Sequence, residues 1–330
     1  ARGGLLRRGL PIAQVDAAII TNVAEDHLGQ YGINDLAGLA QTKFMVAKGL
    51  GKEKPLVLNA DDDTILAHYK AHQADLPKRI CWFSLEETHP TLVQHRQQGG
   101  ATCFVRNAHL VYEKAYEDSH QNYNHQSNEL IAIDEIPMTL AGAAKHNVRN
   151  ALGAIAIAKS LDLPESAIIS ALKEFKSDAS DNPGRGNFYS VNGATVIVDF
   201  AHNVHSMEAM ASTLNAMPAQ RKFLMLGHAG DRSNAEITAL TQSILAIHPD
   251  YLMITETPEY LRGRALGEIP EIIANTALQQ GLTQSQLGYS DSPTAGAIEV
   301  IKRISEGDLV FLMVLSQRQD IDAILNQQTH

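Results

Sequence analysis

The chain has 330 residues, 44% hydrophobic and 19% charged, which is typical of a globular protein long enough for two domains. Its formal net charge of −10 disfavours non-specific binding to nucleic acid or to an anionic membrane, because the mean field repels phosphate. Two cysteines cannot build a disulfide framework, and no apolar run approaches the roughly 20 residues of a membrane helix, so the sequence favours a cytoplasmic protein without nucleic-acid or membrane partners.

The first half of the chain alternates strand-like and helix-like patterns, which predicts an α/β domain with a largely parallel sheet. The expected strands are 17–23, 56–59 and 80–84, and the expected helices are 33–49 and 61–74. Asn34 is the expected N-cap of the first helix. The opening ARGGLLRR lacks an initiator methionine, and we interpret it as the start of a fragment rather than as a transit peptide, because a core strand follows without a spacer.

Residues 91–140 show short alternating runs in place of helical periodicity. The runs 101–105 and 109–112 predict an antiparallel hairpin. The polar stretch 117–129 is predicted to be a mobile loop. Histidines are frequent in and near it, but they show no compact ligand spacing, so a solvated loop is favoured over a metal cluster. These histidines are His95, His120 and His125.

The second half predicts another α/β domain. Helices are expected at 145–161 and 164–175, followed by a linker at 176–186 that is rich in turn formers. Asn192-Gly193 is a strong hairpin signal between two short strands. Four further strands are expected at 223–227, 251–255, 287–289 and 309–315, with helices between them. This order favours a Rossmann-like sheet, whose ligands bind outside the carboxyl ends of the strands.

The block Thr21-Asn22-Val23-Ala24-Glu25-Asp26-His27-Leu28-Gly29 joins the end of a predicted buried strand to a loop. Its carboxylates are hard oxygen ligands of the kind magnesium prefers, and an imidazole can add a nitrogen ligand or polarise a phosphoryl oxygen. A loop that merely caps the following turn explains the same residues. Both interpretations stay open at this point.

Two further groups of polar residues suit a nucleotide. Asn147 and Asn150 are three residues apart at the start of a helix, so their amides face one side and can read an adenine edge, although N-capping by Asn147 explains the pattern equally well. Arg185 stands in the linker, where a guanidinium suits phosphate, and Asp199 at a strand end can accept from ribose hydroxyls. The turn Gly227-His228-Ala229-Gly230 lacks the spacing of a dinucleotide-binding loop.

Taken in chain order, these blocks resemble the Mur ligase family, and within it the cyanophycin synthetase branch. The matching segments are ARGGLLRRGL, TNVAEDHLG, VLNADD, IPMTLAGAAKHNVRNALGA, NPGR, VDFAHN, GHAGDR and LRGRALGE. Each is modest alone, but eight in family order over nearly the whole chain are specific. The resemblance implies an α/β protein in which an incomplete central ATP-binding domain, 1–178, precedes a Rossmann-like C-terminal domain, 179–330.

The resemblance implies part of an ATP-dependent ligase, in which a carboxylate is phosphorylated and an amine attacks the acyl phosphate to form an amide. ATP and Mg²⁺ are the implied cofactors. The implied substrates are an amino acid, arginine in this branch, and the aspartyl side chains of an aspartate-rich peptide or polymer, cyanophycin. The implied catalytic residues are His27, Lys43 and Arg185, of which His27 and a carbamylated Lys43 serve the metal. The implied ATP-binding residues are His146, Asn147, Asn150, Arg185 and Asp199, and the implied substrate residues are His202, Asn203, Asp231, Arg232 and Arg264.

The sequence also departs from the family. A Gly-rich loop ending in Gly-Lys-Thr/Ser is absent from the 330 residues, and Gly51-Lys52 is followed by Glu53. We therefore expect little or no ligase activity from the chain alone, and association with a missing N-terminal part or with further copies. Val204 replaces a usual proline and Gly186 a frequent aromatic residue, which bears on substrate placement.

Other functions remain open from the sequence. Lys43 can be an ordinary helix-surface lysine. An inactive truncated homologue that acts as a binding or assembly subunit accounts for the missing loop. A nicotinamide oxidoreductase is disfavoured, because it requires a glycine fingerprint with an acid about 20 residues further on.

Overall fold

The computed structural model describes residues 9–10, 13–25, 32–117, 123–176 and 178–328, with the backbone alone at 115–117 and 123–125. The chain forms two compact units, Ala1–Phe175 and Lys176–His330. Each unit is a sheet covered by helices on both faces, as the alternating strand and helix patterns predict. The described helices are all too short or too polar to span a bilayer.

The first unit contains six described strands in the order in which they occur along the chain. They are β1 (Ala18–Ile20), β2 (Leu56–Asn59), β3 (Ile80–Ser84), β4 (Ala101–Arg106), β5 (His109–Glu117) and β6 (Tyr123–Ala132). The first four are parallel, and β5 and β6 add antiparallel pairs at one edge. Successive residues of β2 alternate between the two cores, with Leu56 and Leu58 on one side and Val57 on the other.

Five described helices cover this sheet. They are α1 (Leu36–Phe44), α2 (Asp63–His72), α3 (Pro90–Gln97), α4 (Lys145–Ser160) and α5 (Glu165–Glu174). The first three pack against one face through side chains such as Leu39, Ile65 and Leu92, and the last two pack against the other. Short 3₁₀ turns extend or join them at Met45–Gly49, Gln73–Asp75, Ile133–Glu135 and Pro137–Thr139.

Three local predictions for this unit are wrong. Asp35, not Asn34, caps α1, because its carboxylate accepts the backbone N–H of Gly38. The stretch predicted as a mobile loop contains most of β6, whose polar side chains are tolerated because the strand is at the sheet edge and residues 126 and 127 are exposed. Helix α3 was not expected at all.

The second unit has the strand order β11-β10-β9-β12-β8-β7. Its strands are β7 (Asn187–Val191), β8 (Ala194–Asp199), β9 (Lys222–Leu226), β10 (Tyr251–Thr255), β11 (Leu287–Ser290) and β12 (Leu309–Met313). All pairs are parallel except the β7–β8 hairpin, which turns at Asn192-Gly193 as predicted.

Five described helices cover the second sheet. They are α6 (Val204–Ala216), α7 (Asn234–Leu245), α8 (Glu268–Gln279), α9 (Pro293–Ile301) and α10 (Arg318–Gln328), with 3₁₀ turns at Pro258–Tyr260 and Gln284–Gln286. The first three helices pack on one face and the last two on the other. The carboxyl ends of the parallel strands therefore meet at one edge, where the loops after β8, β9, β10 and β12 begin.

Candidate functional site

The segment that leaves β1 is held by the side chains of Asn59 and Asp62. Asn59 donates from Nδ2 to the carbonyl of Thr21 (2.8 Å), and Asp62 accepts the backbone N–H of Val23 at Oδ2 (2.6 Å). Asp62 also caps α2 through its other oxygen, which accepts from Ile65 (2.9 Å). The start of the loop expected to bind metal is therefore fixed by β2 and α2.

Lys43 contacts the same segment. It lies in the last turn of α1, and its Nζ donates to the carbonyl of Asn22 (2.7 Å). The structure thus places its amine against the exit of β1, partly buried, rather than on an open helix surface. His27 lies outside the described residues, so the expected pairing of His27 and Lys43 at a metal stays a prediction.

Asp61 links the ends of two strands to α4. Its carboxylate accepts the Ser84 hydroxyl (2.5 Å), the Leu85 N–H (3.0 Å) and Arg149 Nε (3.0 Å). The sequence analysis placed Asp61 only at the start of a helix and assigned none of Asp61, Asp62 and Arg149 to the site, although the pair of acids just after a buried strand was a usable signal. Among the described side chains, no group of three His, Cys, Asp or Glu residues is arranged to hold a metal.

The amides of Asn147 and Asn150 lie side by side at the start of α4, as their spacing predicts. Asn150 Nδ2 approaches Asn147 Oδ1 (3.3 Å), and Asn147 Nδ2 donates to the carbonyl of Met138 (2.8 Å). The N-cap is Ala144, so N-capping by Asn147 is wrong. Asn150 is exposed, so its amide is accessible to a ligand, whereas His146 and Asn147 are partly buried.

The turn that precedes the second sheet is held by hydrogen bonds within the second unit. Asn187 is buried, accepts the Gly184 N–H (2.5 Å) and donates to the carbonyl of Asn182 (2.9 Å), while the Phe200 N–H donates to the Gly184 carbonyl (3.0 Å). These bonds hold Arg185 next to the end of β8, with its guanidinium carbon 5.6 Å from the centre of the Phe200 ring.

Asp199 ends β8 close to this guanidinium. Burial raises the pKa of Asp199 to about 6, although the Ala201 N–H, Arg185, the Gly186 N–H and Arg318 all favour its ionised form. A carboxylate that titrates near neutral pH beside an arginine is common at functional sites. The structure therefore brings together two of the residues expected to bind ATP.

The expected substrate residues fall into two groups. His202 and Asn203 follow β8; the His202 ring lies 5.0 Å from that of Phe200, and Asn203 caps α6 by accepting the Ser206 N–H (2.9 Å). Arg264 joins the loops after β9 and β10, because it donates to the carbonyls of Gly230 (3.1 Å) and Arg232 (2.5 Å). It also bonds Asn234 and Glu268, so most of its donors hold the loops, and exposed Asp231 is the more accessible side chain.

A buried histidine lies beneath the loop after β9. His228 is 2% exposed and lies 3.4 Å from the Thr241 hydroxyl. Burial, with a smaller contribution from Arg232, lowers the pKa of His228 to about 3, so the ring is neutral at pH 7. Glu256, after β10, accepts the Gly267 N–H (2.6 Å) and fixes the start of α8.

The loop after β12 was missed by sequence reasoning. Ser316 and Gln317 contact Glu259 in the loop after β10, at 3.3 Å and 2.8 Å, and Arg318 donates to the carbonyl of Pro183 (3.2 Å). The polar run that follows the buried strand was its only local signal.

Comparisons with known proteins agree with this arrangement of domains. A model described as "Mur ligase middle domain" matches residues 4–158, and one described as "Mur ligase, glutamate ligase domain" matches residues 184–313. A cyanophycin synthetase of Synechocystis sp. is 30% identical over 328 residues, which cover 98% of this chain and 35% of that protein. A cyanophycin synthetase of Nostoc sp. is 29% identical over 284 residues, which cover 86% of this chain and 29% of that protein.

Solved structures show the same fold at lower identity. E. coli FolC in complex with DHPP and ADP has a TM-score of 0.62 at 18% identity, covering 95% of this chain and 61% of that one. MurF from Acinetobacter baumannii has a TM-score of 0.57 at 18% identity, covering 95% and 60%. The chain spans about a third of the length of the cyanophycin synthetases that it matches.

Proposed function

The chain belongs to the Mur ligase family, and from this premise we propose that it forms part of an ATP-dependent ligase that joins an amino acid to a carboxylate by an amide bond. The observation that carries the proposal is the position of Arg185 at the end of β8, where its charge favours the ionised form of Asp199. We place the domains of this ligase at 1–178 and 179–330.

The donor set at this edge fits a nucleotide. Arg185 provides a permanently charged fork for phosphoryl oxygens, and Asp199 provides an acceptor for ribose hydroxyls when it is ionised. Beside them, the Arg318 guanidinium lies against the same Phe200 ring and adds a second positive charge for an oxyanion. In the first unit, exposed Asn150 offers an amide for the base.

ATP would supply the phosphoryl group that activates the acceptor carboxylate. The residues of this chain would bind and orient the reactants: Arg185 would hold transferring oxygens, and fixed loops would position the amine for attack. His202, Asn203, Asp231, Arg232 and Arg264 are proposed for the amino-acid side.

Magnesium is proposed as the ion that accompanies ATP, with His27 and Lys43 as its residues. Lys43, as an ammonium, donates to a carbonyl and would need carbamylation before it could serve a metal. The described side chains do not by themselves form a metal site, so no step is assigned to the ion.

We propose arginine as the amino acid and aspartyl side chains of an aspartate-rich polymer as the acceptor. The support is the identity of 30% over nearly the whole chain to a protein named cyanophycin synthetase. The formal charge of −10 places the acidic acceptor under a repulsive mean field, so the cationic residues at the strand ends must hold it locally.

The test measures ADP release by the protein expressed from its full reading frame, with ATP, magnesium, arginine and poly-aspartate. We expect release that requires arginine, and a product whose mass increases by arginine residues. Arg185→Lys should lower kcat/KM by about 10–100-fold, because the paired hydrogen bonds of the fork are lost. Arg303→Lys is the matched control: this exposed arginine stacks on Tyr251 at the amino end of β10, 4.8 Å from the ring centre.

Nucleotide binding without any amino-acid-dependent ADP release would instead support an inactive homologue that serves as a binding or assembly subunit. Equal kcat/KM for Arg185→Lys and the parent protein would remove Arg185 from the site. A panel of other amino acids in place of arginine tests the substrate separately from the reaction.

A further inference from the structure

Arg318 is the first residue of α10 and lies against the turn that carries Arg185. Its guanidinium carbon is 5.5 Å from the centre of the Phe200 ring, and that of Arg185 is 5.6 Å from the same centre. The two cationic groups are therefore no more than about 11 Å apart, and both lie next to the end of β8. Side chains 133 residues apart in sequence thus converge on one aromatic ring.

The guanidinium of Arg318 is only partly used by the described structure. Its Nη1 donates to the Pro183 carbonyl (3.2 Å), while its Nε is buried without a hydrogen-bond partner. A buried guanidinium donor that lacks an acceptor is unfavourable, so the fold alone does not satisfy this side chain. No ion pair joins Arg318 to a carboxylate of the described residues, and Asp199 is the acid whose ionised form it favours.

The adjoining turn is shaped around this side chain. Gly184 has φ +70°, and a Cβ at that position would lie 2.3 Å from Arg318 Nε and 2.5 Å from its Cζ. Only glycine leaves room for the guanidinium beneath the turn. Gly184, the residue before Arg185, therefore lets the Arg318 side chain pack close to the turn that carries Arg185.

The backbone that presents Arg318 is strained. Gln317 has φ +57°, a left-handed conformation that is unfavourable for a residue with a side chain. Its side chain holds this conformation by donating to Glu259 (2.8 Å) and accepting the Thr294 N–H (3.2 Å). Strain that the surroundings enforce in this way is typical of ligand-binding sites.

The electrostatics favour an anion here. Arg318 places a positive charge at the N-terminus of α10, which is also the positive end of the helix dipole, so the two repel each other. Two neighbouring guanidinium groups repel each other as well. A bound oxyanion relieves both effects, because it places negative charge between the two guanidinium groups.

We propose that Arg318 and Arg185 form a two-arginine clamp for the phosphoryl oxygens of the nucleotide, which makes Arg318 a further ligand-binding residue of the second unit. The inference rests on the proposed function for the identity of the ligand. The clamp predicts that Arg318 acts on the phosphates and not on the base or ribose.

The test compares Arg318→Met, which keeps an unbranched apolar side chain on Phe200, with Arg318→Lys, which keeps the charge without the fork. Arg303→Met is the control, since Arg303 also stacks on an aromatic ring but lies at the amino end of β10. Affinities for ATP, ADP, AMP and free arginine are measured by calorimetry on the protein expressed from its full reading frame. The melting temperature of each ligand-free variant is measured alongside.

We expect Arg318→Met to weaken ATP binding by about 10–100-fold, the value of a charge-assisted hydrogen bond, with a much smaller effect on AMP. Arg318→Lys should recover part of the ATP affinity, and Arg303→Met should change neither the affinity for ATP nor that for AMP. The melting temperature without ligand should fall by no more than that of Arg303→Met.

Three results would overturn the clamp. A lower melting temperature with unchanged ATP affinity would make Arg318 a packing residue only. A loss of arginine binding with intact ATP binding would place a carboxylate, not a phosphate, between the two guanidinium groups. If the unaltered protein binds no nucleotide, the proposed function fails together with the clamp, whereas ATP binding that survives Arg318→Met contradicts the clamp alone.

Discussion

The carboxyl edges of the two sheets are built in opposite ways. At the edge of the first sheet, polar side chains satisfy one another: Asp61 accepts three hydrogen bonds, and Asn147 is bonded on both sides of its amide. At the edge of the second sheet, Arg318 keeps an unpaired donor and Asp199 has a raised pKa. Asp61 and Asn147 of the first edge are thus bonded within the protein, whereas Asp199 and Arg318 of the second edge carry charge that the fold satisfies only in part.

This difference indicates how the two units divide the work. Polar groups that bond each other stabilise the fold and fix the loop entrances, whereas groups kept strained or desolvated are poised for a charged ligand. Substitutions should therefore lower the stability of the first unit strongly, and should change the pH dependence and ligand response of the second.

The largest effect is expected at Asp61. Asp61→Ala leaves the Ser84 hydroxyl, the Leu85 N–H and Arg149 without their acceptor and should lower the free energy of unfolding of the first unit by about 3 kcal/mol. Urea unfolding followed by fluorescence measures this directly, because Trp82 is the single tryptophan and lies buried in β3.

Asp63→Ala is the control, since Asp63 is exposed at the start of the same helix and should contribute no more than about 1 kcal/mol through the helix dipole. Equal losses in the two variants would show that the first edge is not the mutually bonded scaffold described above.

The second-largest effect concerns His228 and acid. Its pKa is lowered to about 3, so the unfolded chain takes up a proton below pH 6.5 while the folded protein does not. The stability from neutral His228 is present above pH 6.5 and is lost as the pH falls, by about 2 kcal/mol at pH 5. His228→Gln should flatten this acid dependence in thermal unfolding followed by circular dichroism.

The quantity compared is how steeply the stability falls with pH in the two proteins, so a uniform loss of stability in His228→Gln does not affect the result. The Trp82 transition should keep its pH dependence in this variant, because the tryptophan belongs to the first unit. If the stability measured by circular dichroism falls with acid as steeply in His228→Gln as in the parent protein, His228 accepts a proton in the folded state.

Asp199 should act in the opposite direction in the same pH range. Its pKa is raised from 3.8 to about 6, so its contribution to stability is present below pH 3.8 and is lost as the pH rises through 6. The folded second unit should gain about 1 kcal/mol between pH 7.5 and pH 5 from this group. Asp199→Asn should abolish that gain, and a thermal unfolding series at five pH values detects it.

The double variant His228→Gln with Asp199→Asn sharpens the comparison. The two opposing slopes should both disappear, so the second unit should then respond to acid no more than its remaining carboxylates require. If Asp199→Asn leaves the slope unchanged, the carboxylate is better solvated than its surroundings indicate, and the contrast between the two edges weakens.

Much of the fold was predictable because its signals are local. Strands such as Leu56–Asn59 and Ile80–Ser84 are apolar runs bounded by turn residues, and Asn192-Gly193 fixes a hairpin by backbone preference alone. Helix α3 was missed because only Leu92 among its residues is buried, so it has almost no apolar stripe. Strand β6 was missed because a polar strand at a sheet edge has the composition of a loop.

The site was predictable only in part. Arg185 and Asp199 stand out by their chemistry at a linker and a strand end, and the structure brings them together. The contacts of Arg149 with Asp61 and of Arg318 with Pro183 bridge 88 and 135 residues, and no local pattern specifies such pairs. Whether the residues of both units meet at one nucleotide stays a prediction.

The smallest expected effect compares one kind of turn in the two units. The β4–β5 turn has Asn107 at φ 48° and Ala108 at φ 58°, and the β7–β8 turn has Asn192 at φ 53° and Gly193 at φ 76°. Left-handed backbone disfavours alanine by about 1–2 kcal/mol, while glycine adopts it freely but is more disordered when unfolded. Ala108→Gly should therefore stabilise the first unit by about 0.5–1 kcal/mol, measured by Trp82 fluorescence in urea.

Gly193→Ala is the reverse change. It should lower the free energy of unfolding of the second unit by more than the strained φ of alanine alone explains. A Cβ at position 193 would lie 2.9 Å from the Glu306 Cβ and 3.0 Å from its Cα, so the chain must move as well as adopt a strained φ. Because Ala108 already accepts that conformation, the two turns differ in residue and not in geometry. If Ala108→Gly instead lowers the free energy of unfolding, the pairing of β4 with β5 holds the first turn, and the backbone preference of its residues does not. The backbone preference of Asn192-Gly193, which identified the second turn, would then also contribute less to stability than the sequence suggests.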